Sequence, residues 1–174
     1  MEFYRILLEV IDMRSFSNLW FWIVLAVAWS SVSRWLLGVP IDLIQRGRRQ
    51  GGQVQADVEA LVAINVRRIL GLTRTAAVPL FFGLAFYLTT LGILAFWYWV
   101  EFAQAVFLLT APMVLVGWLS LHAAVKVEAG ENAGAALYRR LILHRRFVQG
   151  VGMVAIFITA LFGMWRNLNF SVLH

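Results

Sequence analysis

No cysteine occurs among the 174 residues, which removes disulfides, thiolate metal sites, cysteine-ligated iron–sulfur clusters and a cysteine nucleophile from the chemistry open to this chain. Charge is scarce too: 14% of residues are charged against 61% hydrophobic, whereas a soluble domain carries about 25% charged residues. Lysine is reduced to Lys126, so fourteen of the fifteen basic residues are arginine, in a chain rich in Ala, Leu, Val and Gly. That bias points to a GC-rich bacterial genome and says nothing of task. The histidines, His122, His144 and His174, are too dispersed to supply two imidazoles at matching depth on facing helices, which excludes a bis-histidine haem. No His, Asp or Glu pair in the apolar stretches has the i, i+3 or i, i+4 spacing that sets two metal ligands on one helical face. Ser30, Ser31, Thr89, Thr90, Thr110 and Thr159 lack an intramembrane base, so their expected role is to hydrogen-bond their own helix or a neighbour. The run GRRQGG (47–52) lacks the lysine and the strand-to-helix setting of a phosphate loop. The expectation is a chain without catalytic, cofactor or metal site, and not an enzyme.

What is present is length without charge. Stretches of roughly twenty residues can cross a ~30 Å hydrocarbon core, and four occur, at about 18–37, 77–99, 102–122 and 147–165. The expected fold is all-α, an integral membrane four-helix bundle with short amphipathic interfacial helices, forming one membrane domain over 1–174. Residues 2–13 carry Phe3, Ile6, Leu7, Val10 and Met13 at helical spacing and read as an amphipathic helix lying on the surface. Five charges interrupt the first fourteen residues, unlike a cleavable signal peptide. Ser15, Ser17 and Asn18 favour a helix start for the first span, and Gly38 and Pro40 close it.

Residues 41–53 read as an exposed loop because of their glycines and arginines. Helical periodicity resumes over 53–73, where Val54, Val58, Leu61, Val62, Ile69 and Leu72 share an arc opposite Asp57, Arg67, Arg68 and Arg74. Such a helix suits the headgroup level or a partner. Pro79 marks the start of the second span or a kink before it, and Pro112 bends the third. Glu101 and its neighbours leave room only for a tight hairpin, flanked by interfacial Trp97, Tyr98 and Trp99. Gly130 and Gly134 bound a polar break, after which helix resumes through Arg139, Arg140, Arg145 and Arg146. The fourth span follows, with a polar tail, RNLNFSVLH.

Twelve of the fifteen basic residues fall in Arg34 and the two loops, 38–76 and 123–146. Retention of Arg and Lys in the cytoplasm then predicts N-out, C-out. The surfaces that stand out are basic: Arg46, Arg48, Arg49, Arg67, Arg68, Arg139, Arg140, Arg145 and Arg146 are expected to meet anionic lipid or an acidic soluble protein, and no nucleic acid. Ala155, Thr159 and Gly163, four apart, form a seam for close approach of another helix, within the bundle or on a partner. Glu101 and Gln104 are a possible polar membrane site, and Glu101 is placed to pair with Arg166.

The segments IDMRSFSNLWFWI (11–23), LLGVPIDLIQR (36–46), VEFAQAVFLL (100–109) and GMW (163–165) resemble a family of small alphaproteobacterial membrane proteins labelled "component of SufBCD complex". The resemblance implies a place in the bacterial inner membrane near iron–sulfur cluster assembly, whose scaffold and ATPase parts are soluble. Without cysteine, this chain could contribute only anchoring or recruitment. The leading expectation is thus a non-enzymatic accessory or assembly subunit of an inner-membrane complex, or a membrane recruiter of a soluble partner. The alternative is a small oligomeric transporter or channel component built on Glu101, Gln104, Pro79 and Pro112. A lipid-modifying enzyme comes last, because no acidic or hydroxyl–base cluster lies at the cytoplasmic interface.

Overall fold

A computed structural model of the chain describes Phe16 and residues 19–171; the expected surface helix over 2–13 and His174 lie outside the described residues. In chain order the elements are α1 (Leu19–Arg34), strands β1 (Trp35–Leu36) and β2 (Val39–Pro40), α2 (Ile41–Gln50), α3 (Gly52–Phe96), α4 (Glu101–Glu128) and α5 (Gly134–Ser171). The architecture is all-α apart from that two-stranded antiparallel hairpin. Among the described residues three helices, α3, α4 and α5, are long and apolar enough to cross a membrane.

The expected first span differs from what is found. Helix α1 has 16 residues, about 24 Å at 1.5 Å per residue, and stops at Arg34 instead of running to residue 37. Leu37 (φ 50°) and Gly38 (φ 77°) turn the chain, the pair of positive φ values that a two-residue hairpin turn requires. Gly38 is further constrained by space, since a Cβ there would lie 2.9 Å from Asn65 Nδ2. Leu37 tolerates its left-handed backbone because its side chain is buried with Leu36 and Val39.

Residues 41–53, expected as a loop, form helix α2. Gly47 is the source of the discrepancy: it is a point of close packing within the helix, where a Cβ would meet Tyr138 Oη at 2.6 Å and Val58 Cγ2 at 3.0 Å. The real break is Gly51–Gly52, both at positive φ. Asp42 in the first turn of α2 and Arg48 and Arg49 in the last match the helix dipole.

The first half of α3 is likewise turned inward. Val58, Val62, Val66 and Leu70, four apart, are buried in a cluster with Leu36, Ile44, Ala124, Val127, Leu137 and Leu141. Leu61 and Leu72, expected on the same apolar face, are exposed. The two segments read as basic loops therefore fold together, with the end of α4, into one packed module, and the apolar arc of 54–73 is spent on that core rather than on headgroups. Glu59 ties the module across 75 residues: its Oε1 accepts from the Gly134 N–H at the start of α5 (2.8 Å) and from Gln55 Nε2 (2.9 Å). Exposed Arg74 and Glu128 join α3 to α4 at 2.6 Å.

Ala76 interrupts α3 with φ −116° and ψ 20°. Pro79 accounts for it, having no N–H for the carbonyl four residues back and a ring that crowds that carbonyl. The apolar half of α3 then leads to a turn at Trp97–Val100, where Trp99 has φ 57°, and α4 returns antiparallel. A second core of Leu25, Trp29, Val116, Val148 and Ala155 joins α1, α4 and α5. The expected polar tail is helical as far as Ser171.

Candidate functional site

The seam on α5 is occupied by this chain. Gly152, Ala155, Thr159 and Gly163 are all buried, with α1 packed on the first two and Phe16, ahead of α1, on the last. A Cβ on Gly152 would stand 2.8 Å from Trp29 Cε3, and one on Gly163 would stand 3.2 Å from Phe16 Cδ1. Thr159 donates to the Ala155 carbonyl at 2.8 Å. The sequence pattern showed that something comes close here but not what; at Gly152 and Ala155 it is α1, at Gly163 it is Phe16 ahead of α1, and Gly152 extends the seam one turn beyond the residues expected.

At the α3–α4 turn the expected polar site holds the hairpin together. Glu101 Oε1 accepts from the Phe16 N–H at 3.0 Å. Arg166 reaches the same end of the bundle, where Nη2 donates to the Trp99 carbonyl at 3.1 Å and the guanidinium lies 5.7 Å from the Trp99 ring centroid. The expected Glu101–Arg166 pair is thus replaced by two separate clamps, one on the segment preceding α1 and one on the turn. Gln104 is fully buried; Nε2 donates to the Ala95 carbonyl at 2.8 Å, and Oε1 has no partner among the described residues.

The basic residues divide by helix. Arg46, Arg48 and Arg49 are exposed on α2, and Arg67 and Arg68 are exposed on α3. Of the α5 cluster, Arg139 and Arg146 are exposed, whereas Arg140 and Arg145 are half-buried. Arg140 grips Glu131 through both Nε and Nη2, the second contact at 2.7 Å. That ion pair pulls the Glu131 carboxyl below its ordinary value and raises Arg140. Arg48, Arg139, Arg140 and Arg146 share the wall of an open groove of about 850 Å³ with Gln55 and Tyr138.

Directly beyond it, between α4 and α5, runs an apolar groove of about 570 Å³, lined by Phe107, Pro112, Leu115, Gly150, Val154 and Ile158 among others. Arg146 borders both grooves. A smaller cavity of about 290 Å³ bridges them on the α4 side, sharing Arg140 and Leu143 with the basic groove and Phe147 with the apolar one. His122 and His144 line this cavity together, a juxtaposition that their separation of 22 positions conceals in the sequence. Ser120 Oγ donates to the Val116 carbonyl at 2.9 Å and lies 3.3 Å from His144 Nε2. His122 stacks on Trp118, with centroids 6.1 Å apart. Among the described residues, no three His, Asp or Glu side chains gather as a metal site.

No family model, no curated protein and no solved structure matches this chain.

Proposed function

We propose that this chain is a non-enzymatic accessory or assembly subunit of a bacterial inner-membrane complex, docked to a larger neighbour through the apolar half of α3. The observation that carries this reading is the isolation of that span. None of the most apolar stretch of α3 is buried, against 22% in α4 and 28% in α5. Phe81, Phe82 and Phe86 are 69%, 67% and 75% exposed, and Gly83 among them has open space where a Cβ would stand. Apolar surface gives no drive to associate within lipid, but close approach at a small residue flanked by large ones does. A helix from another subunit would find both there.

In this reading α1 is the fourth span, with both termini outside and the basic module in the cytoplasm. Support comes from the arginine distribution and from Arg34, which ends α1 beside the module and can snorkel to extend a short span. If the likeness to proteins labelled "component of SufBCD complex" extends to their role, the chain would anchor an iron–sulfur assembly partner at the membrane. The transporter alternative draws on Gln104 Oε1, which has no partner among the described residues; proteoliposome flux that is absent, or unchanged by Glu101→Gln, would remove its main support.

The test is site-specific photocrosslinking in native membranes, with the photoreactive residue at Phe82 or Phe86 and, as control, at Val27 on α1. The expected result is a discrete crosslinked partner from the α3 positions that survives gentle detergent extraction. Recovery of the chain alone from every position refutes the reading.

A further inference from the structure

The grooves beside α5 form one amphiphilic channel. On α5, Arg139, Ile142, Arg146, Gly150, Val154 and Ile158 follow at intervals of three or four residues and so lie along one side of the helix. The basic groove covers the first three of these positions and the apolar groove the last four, overlapping at Arg146. From Arg146 to Ile158 the apolar stretch runs about 18 Å along the axis at 1.5 Å per residue. On the facing helix, Leu108, Ala111, Pro112 and Leu115 supply the other wall. The recess exists because Gly150 has no side chain, and a Cβ there would meet nothing within 4 Å. Charge changes along the same line: the arginine end has one carboxylate, Glu131, already held by Arg140, while Arg139 and Arg146 are in no ion pair among the described residues.

We propose that this groove binds one anionic phospholipid, with its headgroup against Arg139 and Arg146 and an acyl chain lying between α4 and α5 over Gly150. A soluble anion would fit the arginine end but leave the apolar end empty. A zwitterionic lipid would fill the apolar end while bringing its own cation to the arginines. A single ligand that satisfies both ends needs a net negative head and a hydrocarbon tail, and the leaflet beside the basic module supplies such molecules. Arg146, next to Phe147 at the start of the apolar stretch, sits at the depth where phosphate meets hydrocarbon. The site is separate from the α3 surface proposed for docking, and neither proposal depends on the other.

The test uses the full chain purified in mild detergent, with native mass spectrometry and competition between phosphatidylglycerol, phosphatidylcholine and glycerol phosphate. The expected result is one retained phosphatidylglycerol per chain, with phosphatidylcholine retained less and glycerol phosphate not competing. Two variants address the two ends. Arg146→Gln should weaken phosphatidylglycerol binding about fivefold, and about thirtyfold together with Arg139→Gln, from the usual attraction of one arginine to an anionic surface. Gly150→Leu points into open space and replaces a helix-weakening residue, so it should fold as wild type while losing the lipid. Arg67→Gln, on α3 outside the groove, should bind as wild type. Equal retention of the neutral lipid, competition by glycerol phosphate, or undiminished binding by a folded Gly150→Leu protein would each overturn the proposal.

Discussion

Substituting alanine at Gly152 asks whether α1 is seated on α5 through Trp29. The added methyl would lie 2.8 Å from Trp29 Cε3 and 3.1 Å from Cζ3, well inside the 3.5–4.0 Å at which carbon atoms attract. The indole is poorly placed to yield, because it is 4% exposed and packed with Leu25, Val116 and Val148. Overpacking of this kind costs about 1–3 kcal/mol, offset by up to ~1 kcal/mol because alanine is the better helix former. Gly117 on α4 supplies the control, since a methyl there meets nothing within 4 Å and retains only the propensity gain. The two variants should therefore differ by about 1–3 kcal/mol, Gly152→Ala being the less stable. Reversible unfolding in mixed micelles, followed by far-UV circular dichroism and tryptophan fluorescence, measures the difference. Trp29→Phe should shrink the cost of Gly152→Ala, because the smaller ring leaves space for the methyl. If the two glycine variants agree within about 0.5 kcal/mol, the size of an ordinary surface effect, the α1–α5 packing described above is wrong.

Three further outcomes follow from the packed module of α2, the first half of α3 and the adjoining ends of α4 and α5. The Glu59 carboxyl is held below its usual range, first by the Gly134 N–H and then by Gln55; its stabilisation is complete above the unfolded value of about 4.3 and fades as pH falls through the lower folded value. Glu59→Ala should cost about 0.5–1.5 kcal/mol near neutrality and flatten the acid limb of a stability–pH profile. Tyr138 Oη is buried without a partner among the described residues, so Tyr138→Phe should be neutral or stabilising. Gly47→Ala should be markedly less costly in that background, a coupling that a double-mutant cycle in chemical denaturation reads directly. The Arg74–Glu128 pair is 69% and 40% exposed at its two side chains, and removing either partner should change stability by less than about 1 kcal/mol, with the effect fading in high salt.

Several features were legible from local chemistry alone. Pro79 lacks a backbone donor whatever surrounds it, and α3 breaks three residues before it. Glu101 stands where two long apolar runs nearly touch, and the chain reverses there. Glycine was the least legible residue, because the same absence of Cβ serves a turn at Gly51–Gly52 and a tight helix contact at Gly47. A window containing all three read as a loop; in fact only the last two break the helix.

The sequence by itself determined the all-α class, the long apolar helices and the gathering of arginine into two segments, because these depend on hydrophobic length, period and charge. Tertiary structure decided what each face meets. Periodicity marked 54–73 as two-sided, but only the fold shows that Val58 and Val62 face α2 and the ends of α4 and α5 rather than lipid. The small-residue seam at Ala155, Thr159 and Gly163 announced a neighbour, and the neighbours are α1 at Ala155 and Phe16 at Gly163. Glu101 and Arg166 belong to the same end of the bundle yet take different partners, since a hydrogen bond is settled by position within a few tenths of an ångström. The groove beside α5 shows the same division: its arginines can be counted in the chain, whereas their continuity with the recess over Gly150 exists only once α4 and α5 lie side by side.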